Sequence, residues 1–179
     1  MSSILYIASD FPLSARPNPH DKMLSVNEAI AAGVKDIPDF MLADSFDPNK
    51  PEVLLCSDRE VVINVDDGTI EDGNFDDDFS VRLTEKIYGM RTEKKYCAVF
   101  DRMKYTPGRA GLLINYLREQ LADTPELELW HTWLDDEPMH RLRRAVIPIE
   151  ELTPEDIEEL EKKEVFSEPT TDYCYCIVR

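Results

Sequence analysis

Tyr96-Cys97-Ala98-Val99-Phe100-Asp101-Arg102-Met103, Thr106-Pro107-Gly108-Arg109, a run over 110–122, and Leu127-Glu128-Leu129-Trp130-His131-Thr132-Trp133-Leu134 read as strand, tight turn, helix and strand. The Thr106 hydroxyl is placed to accept from a free backbone N–H of the first helical turn. Pro107 fits the first helical position, where its missing N–H is no loss. Ala110, Leu113, Ile114, Leu117 and Leu121 recur at three- and four-residue spacing, which predicts one apolar stripe. Pro125 stops the helix. In 127–134, Leu127, Leu129, His131 and Trp133 fall on one strand face and Glu128, Trp130, Thr132 and Leu134 on the other. Both faces carry bulk, so this strand is expected inside a sheet. A strand–helix–strand unit of this length suits a right-handed parallel crossover, with an antiparallel placement across other strands as the alternative.

Outward from that unit, residues 4–8 read as a short buried strand. A stiff loop follows, with Pro12, Pro17 and Pro19 fixing φ. Ser25-Val26-Asn27-Glu28 is a capping-box pattern opening a short helix, and Gly33 suits its left-handed terminator. Residues 37–42 add a turn of helix. Residues 53–56 and 60–65 read as strands, with a connection at 57–59 short enough for a hairpin. Residues 79–83 alternate as a strand, 87–95 form a connection or an edge strand, and 141–148 alternate again. Thr153-Pro154-Glu155-Asp156 opens another capped helix, with Ile157 and Leu160 on its buried side. Residues 171–178 close the chain as a strand. The whole predicts a single α+β domain over 1–179: a mixed, mostly antiparallel sheet of about five to seven strands with two or three helices packed on it.

Composition narrows the function. The chain has 179 residues, 42% hydrophobic and 32% charged, which is globular in character. Its formal net charge of −17 argues against sequence-independent nucleic-acid binding and against docking on an anionic membrane surface. No run has the apolar length of a membrane span, and the N-terminal residues lack the pattern of a signal peptide. Cytoplasmic residence is therefore the expectation. Cys56, Cys97, Cys174 and Cys176 form no C-x-x-C pair. Cys174 and Cys176, two apart in an extended segment, face one side of a strand. They read as buried reduced thiols, the alternative being a zinc site completed by a histidine and one more ligand.

The most unusual segment is 66–78, where Asp66, Asp67, Glu71, Asp72, Asp76, Asp77 and Asp78 give seven carboxylates with no basic residue. Such a cluster repels itself unless water or positive charge lies between its members. Asp72, Asn74, Asp76 and Asp78 imitate the start of a calcium-binding EF-hand loop. However, Asp77 stands where that loop needs glycine and Leu83 where it needs glutamate. The segment reads either as a solvated turn between strands or as a negative lobe that docks a basic protein. Gly108 and Arg109, at a helix N-terminus, form a second and weaker candidate, for a small anion. His20, His131 and His140 have no ligand partner at helical spacing, and no catalytic motif accompanies them. A pair of His131 with Cys97 or Asp101 would need neighbouring strands. Arg141, Arg143 and Arg144 form a compact basic cluster, expected to pair with carboxylates.

In size and acidity the chain resembles bacterial immunity and inhibitor proteins, which neutralise basic toxins by presenting carboxylates. The resemblance is one of general character and transfers no residues. The resulting expectation is a non-catalytic protein-binding module with no cofactor, no catalytic residue and no resident metal, acting on a basic protein partner through its acidic surface. The rival is a hydrolase that uses a carboxylate cluster with a divalent cation. A third reading is a domain that binds a small anionic ligand.

Overall fold

The helix that the Thr106 cap announces forms as expected. In the computed structural model, which describes residues 2–57, 61–63, 70–72, 76–86, 90–102, 105–134, 141–162 and 171–179, the Thr106 hydroxyl accepts from the Arg109 N–H at 3.0 Å. From there α2 (Pro107–Gln120) runs with Ala110, Leu113, Ile114 and Leu117 buried, and Leu121 buried at its C-cap. Before it lies β7 (Tyr96–Arg102) and after it β8 (Glu126–Leu134). Between these two strands sits β1 (Ser2–Ser9), antiparallel to both, so β7 and β8 run parallel with one strand interposed. The unit is thus a crossover that spans β1.

The chain divides into two compact units, one made of Met1–Asn18 with Phe75–Arg179 and the other of Pro19–Asn74. In the first unit a six-stranded sheet has the order β6-β7-β1-β8-β10-β9, with β6 at Phe79–Thr84, β9 at Arg141–Pro148 and β10 at Thr171–Val178. Every pairing is antiparallel except β9–β10, which α3 (Pro154–Lys162) connects. This is the mixed, mostly antiparallel α+β architecture that the sequence predicts. A β9–α3–β10 return is the standard way to join adjacent parallel strands, since a hairpin cannot reverse direction twice. The two faces of the sheet differ. On one, Ile7, Phe79, Ala98, Leu127, Leu129 and Ile177 are buried with the apolar stripes of α2 and α3. On the other, Tyr6, Ala8, Cys97, Trp130 and Cys174 make a smaller cluster.

The second unit holds two short sheets. β2 (Asp21–Leu24) pairs antiparallel with β3 (Leu54–Ser57), and β4 (Val61–Ile63) pairs antiparallel with β5 (Ile70–Asp72). Among the described residues, the hairpin expected between 53–56 and 60–65 therefore does not form. Residues 54–57 take β2 as their partner, and residues 61–63 pair with β5; the Asp67-Gly68 turn signal lies outside the described residues. β2 lacks an alternating apolar pattern (Asp-Lys-Met-Leu), so nothing local marked it as a strand. Helix α1 (Val26–Ala31) has its capping box complete: Ser25 Oγ accepts from the Glu28 N–H and Glu28 accepts from the Ser25 N–H. Gly33 takes φ +80, the left-handed conformation that only glycine adopts without strain. The expected helical turn near residue 40 is a 3-10 turn, Asp39–Met41. Among the described residues no helix is long and apolar enough to cross a membrane.

Candidate functional site

The acids of 66–78 do not share one environment. Asp66 and Asp67 lie outside the described residues, as do the side chains of Glu71 and Asp72, whose backbone belongs to β5. Asp76 and Asp77 carry accessible surface, whereas Asp78 is buried. Asp78 Oδ2 lies 3.3 Å from Arg109 Nη2, and both side chains are almost wholly enclosed, at 1% and 2% exposure. Asn18 Nδ2 donates to the other oxygen, Asp78 Oδ1, at 2.6 Å. Asp76 stands at the start of α2, where its Oδ1 accepts from Thr106 Oγ1 at 2.9 Å. A Cβ at Gly108 would fall on that carboxylate, so the bare glycine is what lets Asp76 approach the helix end.

The two candidate sites of the sequence therefore meet. The positive end of α2 and the Arg109 guanidinium face carboxylates from the chain itself, a favourable arrangement for a helix N-terminus. Asp78 presents no oxygen to a partner, because it is buried and ion-paired. The same contacts bear on the EF-hand likeness. Asp78 already has Arg109 as its counter-ion, and Asp76 is engaged by Thr106.

A second constellation lies on the sheet face opposite the helices. Strand register aligns Ala8, Glu128, Cys176 and Val146 in one row and Tyr6, Trp130, Cys174 and Arg144 in the next. The Tyr6 and Trp130 rings stack with centroids 5.8 Å apart and planes within 3°. Glu128 is buried with both oxygens occupied: Oε1 accepts from Arg144 Nη2 at 2.6 Å, and Oε2 accepts from Thr92 Oγ1 at 2.5 Å and Trp130 Nε1 at 2.7 Å. Residues 90–94 cross this face as a strap. Arg91 donates its backbone N–H to the Tyr6 hydroxyl at 3.1 Å and pairs its side chain with buried Asp172 at 2.8 Å. Thr132 Oγ1 also donates to Asp172, at 2.8 Å. Lys94 bridges Asp10 and Glu126; burial works against its charge, but the hydrogen bonds it donates to these two carboxylates prevail and hold the ammonium firmly protonated.

This face holds the group of described residues best suited to a metal: Glu128, Cys174 and Cys176, with ligand atoms within 4.8 Å of one another. Burial first, then the neighbouring Cys176, pushes the Cys174 thiol up to about 12, so it is protonated at neutral pH and a metal bound here would have to displace that proton. Arg144 stays charged through its hydrogen bond to Cys174 and its proximity to Glu128, which places a cation where a metal would sit. The histidine that a zinc site would recruit is on the wrong side. His131 shares the helix-facing side with Leu129 and Tyr173, while Cys174 and Cys176 face away. Nor does His131 meet Cys97, because β1 separates their strands and Cys97 lies on the opposite face.

Sequence reasoning missed the acidic face of α3 and the turn before it. Glu150, Glu151, Glu155 and Glu159 are exposed within ten residues, with Asp156 and Glu158 half-buried beside them and no base among them. Their field is felt nearby: burial first, then Asp156 and Glu159, raise the Tyr175 hydroxyl above its ordinary value. The signal was visible as Glu-rich helical spacing, but the seven acids of 66–78 form the longer acidic segment and drew the reading. Compared with protein-family models, with curated proteins and with solved structures, the chain matches none.

Proposed function

We propose that this is a non-catalytic binding protein whose acidic surface engages a cationic protein partner. The observation that carries the reading is where the scarce positive charge goes. The chain has 20 Lys and Arg against 37 Asp and Glu, and among the described residues at least four of those cations face carboxylates of its own. Arg109 meets Asp78, Arg91 meets Asp172, Arg144 meets Glu128, and Lys94 lies between Asp10 and Glu126. Arg179 turns back onto the carbonyls of Leu121 and Ala122, and Arg16 lies over the Phe79 ring at 3.6 Å. Cations held against the framework are not presented to a partner, and the net charge of −17 favours fast, oriented encounter with a positive surface. The contact carboxylates in this reading are those of 66–77 and the exposed set at 150–159, with Asp78 a framework residue.

The test is to cross-link the folded chain in cell extract at low salt, identify what it holds, and repeat the capture at high salt. The expected partner is a basic protein released by salt. A neutral or acidic partner retained at high salt contradicts the reading.

A further inference from the structure

We propose that the groove between α1 and residues 41–48 is where the cationic partner docks, taking a large apolar side chain of the partner flanked by lysine or arginine. This deepens the functional reading above and rests on it. The groove encloses about 360 Å³, lined by Val26 and Ile30 from α1 and by Met41, Leu42, Asp44 and Phe46 among others opposite. An apolar cavity of about 150 Å³ already holds a benzene ring, so this one has room for an aromatic or a branched aliphatic group. Its walls are tied together in advance: the Asn27 N–H donates to the Pro48 carbonyl at 3.1 Å, and Asn27 Nδ2 donates to Asn49 Oδ1 at 2.8 Å. Phe40 meets Phe46 edge-on with centroids 6.3 Å apart, bracing the far wall.

Two features say what fills it. Ile30, Phe40 and Leu42 are 54%, 64% and 54% exposed, a concentration of apolar surface around one depression that a soluble protein rarely leaves uncovered. Helix α1 and residues 41–48 carry Glu28, Asp44 and Asp47 and no basic residue, and Asp44 lines the groove itself. Apolar side chains with an aspartate among them, on a chain of net charge −17, fit a cationic amphipathic segment. A second copy of this chain fits poorly, since it would bring another −17.

The experiment uses the full chain and three dye-labelled helical peptides, read by fluorescence anisotropy: a Lys/Leu amphipathic peptide, a Lys/Gln peptide of equal charge, and a Glu/Leu peptide. The Lys/Leu peptide should bind about tenfold tighter than Lys/Gln, and the Ile30→Ser/Leu42→Ser variant should lose about that factor. Both replaced side chains are more than half exposed, so the fold is retained. The separate Asp44→Asn/Asp47→Asn variant should weaken Lys/Leu binding about threefold at low salt and much less at high salt. Equal binding of the two cationic peptides, or undiminished binding by Ile30→Ser/Leu42→Ser, overturns the groove while leaving the acidic-surface reading in place. Glu/Leu binding as tightly as Lys/Leu overturns both.

Discussion

Asp78 and Asp76 are two letters apart and identical in sequence, yet one is an enclosed counter-ion and the other sits at a helix end. The difference comes from Arg109, thirty-one positions away, and no local pattern encodes it. Removing the Asp78 carboxylate leaves Arg109 charged, enclosed and without its ion-pair partner. We expect Asp78→Ala to lower unfolding free energy by about 3–5 kcal/mol in urea titration, and Asp78→Ala/Arg109→Met to recover part of that loss. Glu155→Gln, on the exposed face of α3, should stay within about 0.5 kcal/mol. Equal effects for Asp78→Ala and Glu155→Gln would contradict the assignment of Asp78 to the framework. Cys174 gives a pH prediction. Its thiol titrates at about 12 in the folded chain against an ordinary value of 9.0, so between those values the unfolded state loses a proton that the folded state keeps. Stability therefore falls as pH rises through that window and is intact below it. The Cys174→Ala variant should show a flatter alkaline decline, and a superimposable one would contradict the burial.

Elements were legible where one segment carries both its cap and its stripe. Helix α2 is the clearest case, since Thr106, Pro107 and five apolar positions agree. Thr106→Ala should destabilise by about 1–2 kcal/mol in thermal melts, because the hydroxyl caps the helix and also holds Asp76. No change on substitution would mean that the cap is decorative. Strand partners were less legible. The 54–57 strand bonds to β2, a four-residue segment without alternation, and short apolar runs do not encode which edge they join. The strap at 90–94 was legible only as a connection, because its contacts with Tyr6, Glu128 and Asp172 all reach across more than thirty residues.

At the scale of the molecule, sequence showed how much negative charge there is but not which carboxylates the framework uses. The seven acids of 66–78 drew the reading, yet Asp78 lies against an arginine and Asp76 at a helix end. Residues 150–159 carry six acids, of which Glu150, Glu151, Glu155 and Glu159 are exposed, the last two on a helix whose Ile157 and Leu160 anchor it to the core. The groove on the second unit was illegible for a different reason. Ile30 looked like an ordinary member of a helical stripe, and only the fold leaves it exposed beside Leu42.

The decisive measurement is the affinity of the captured partner against salt concentration, for the natural chain and for a Glu150→Gln/Glu151→Gln/Glu155→Gln/Glu159→Gln variant. If the outward carboxylates engage a cationic surface, affinity falls steeply with salt for the natural chain and the variant binds more weakly at low salt with a shallower slope. A natural chain indifferent to salt, or a variant with the same affinity and slope, would contradict the account.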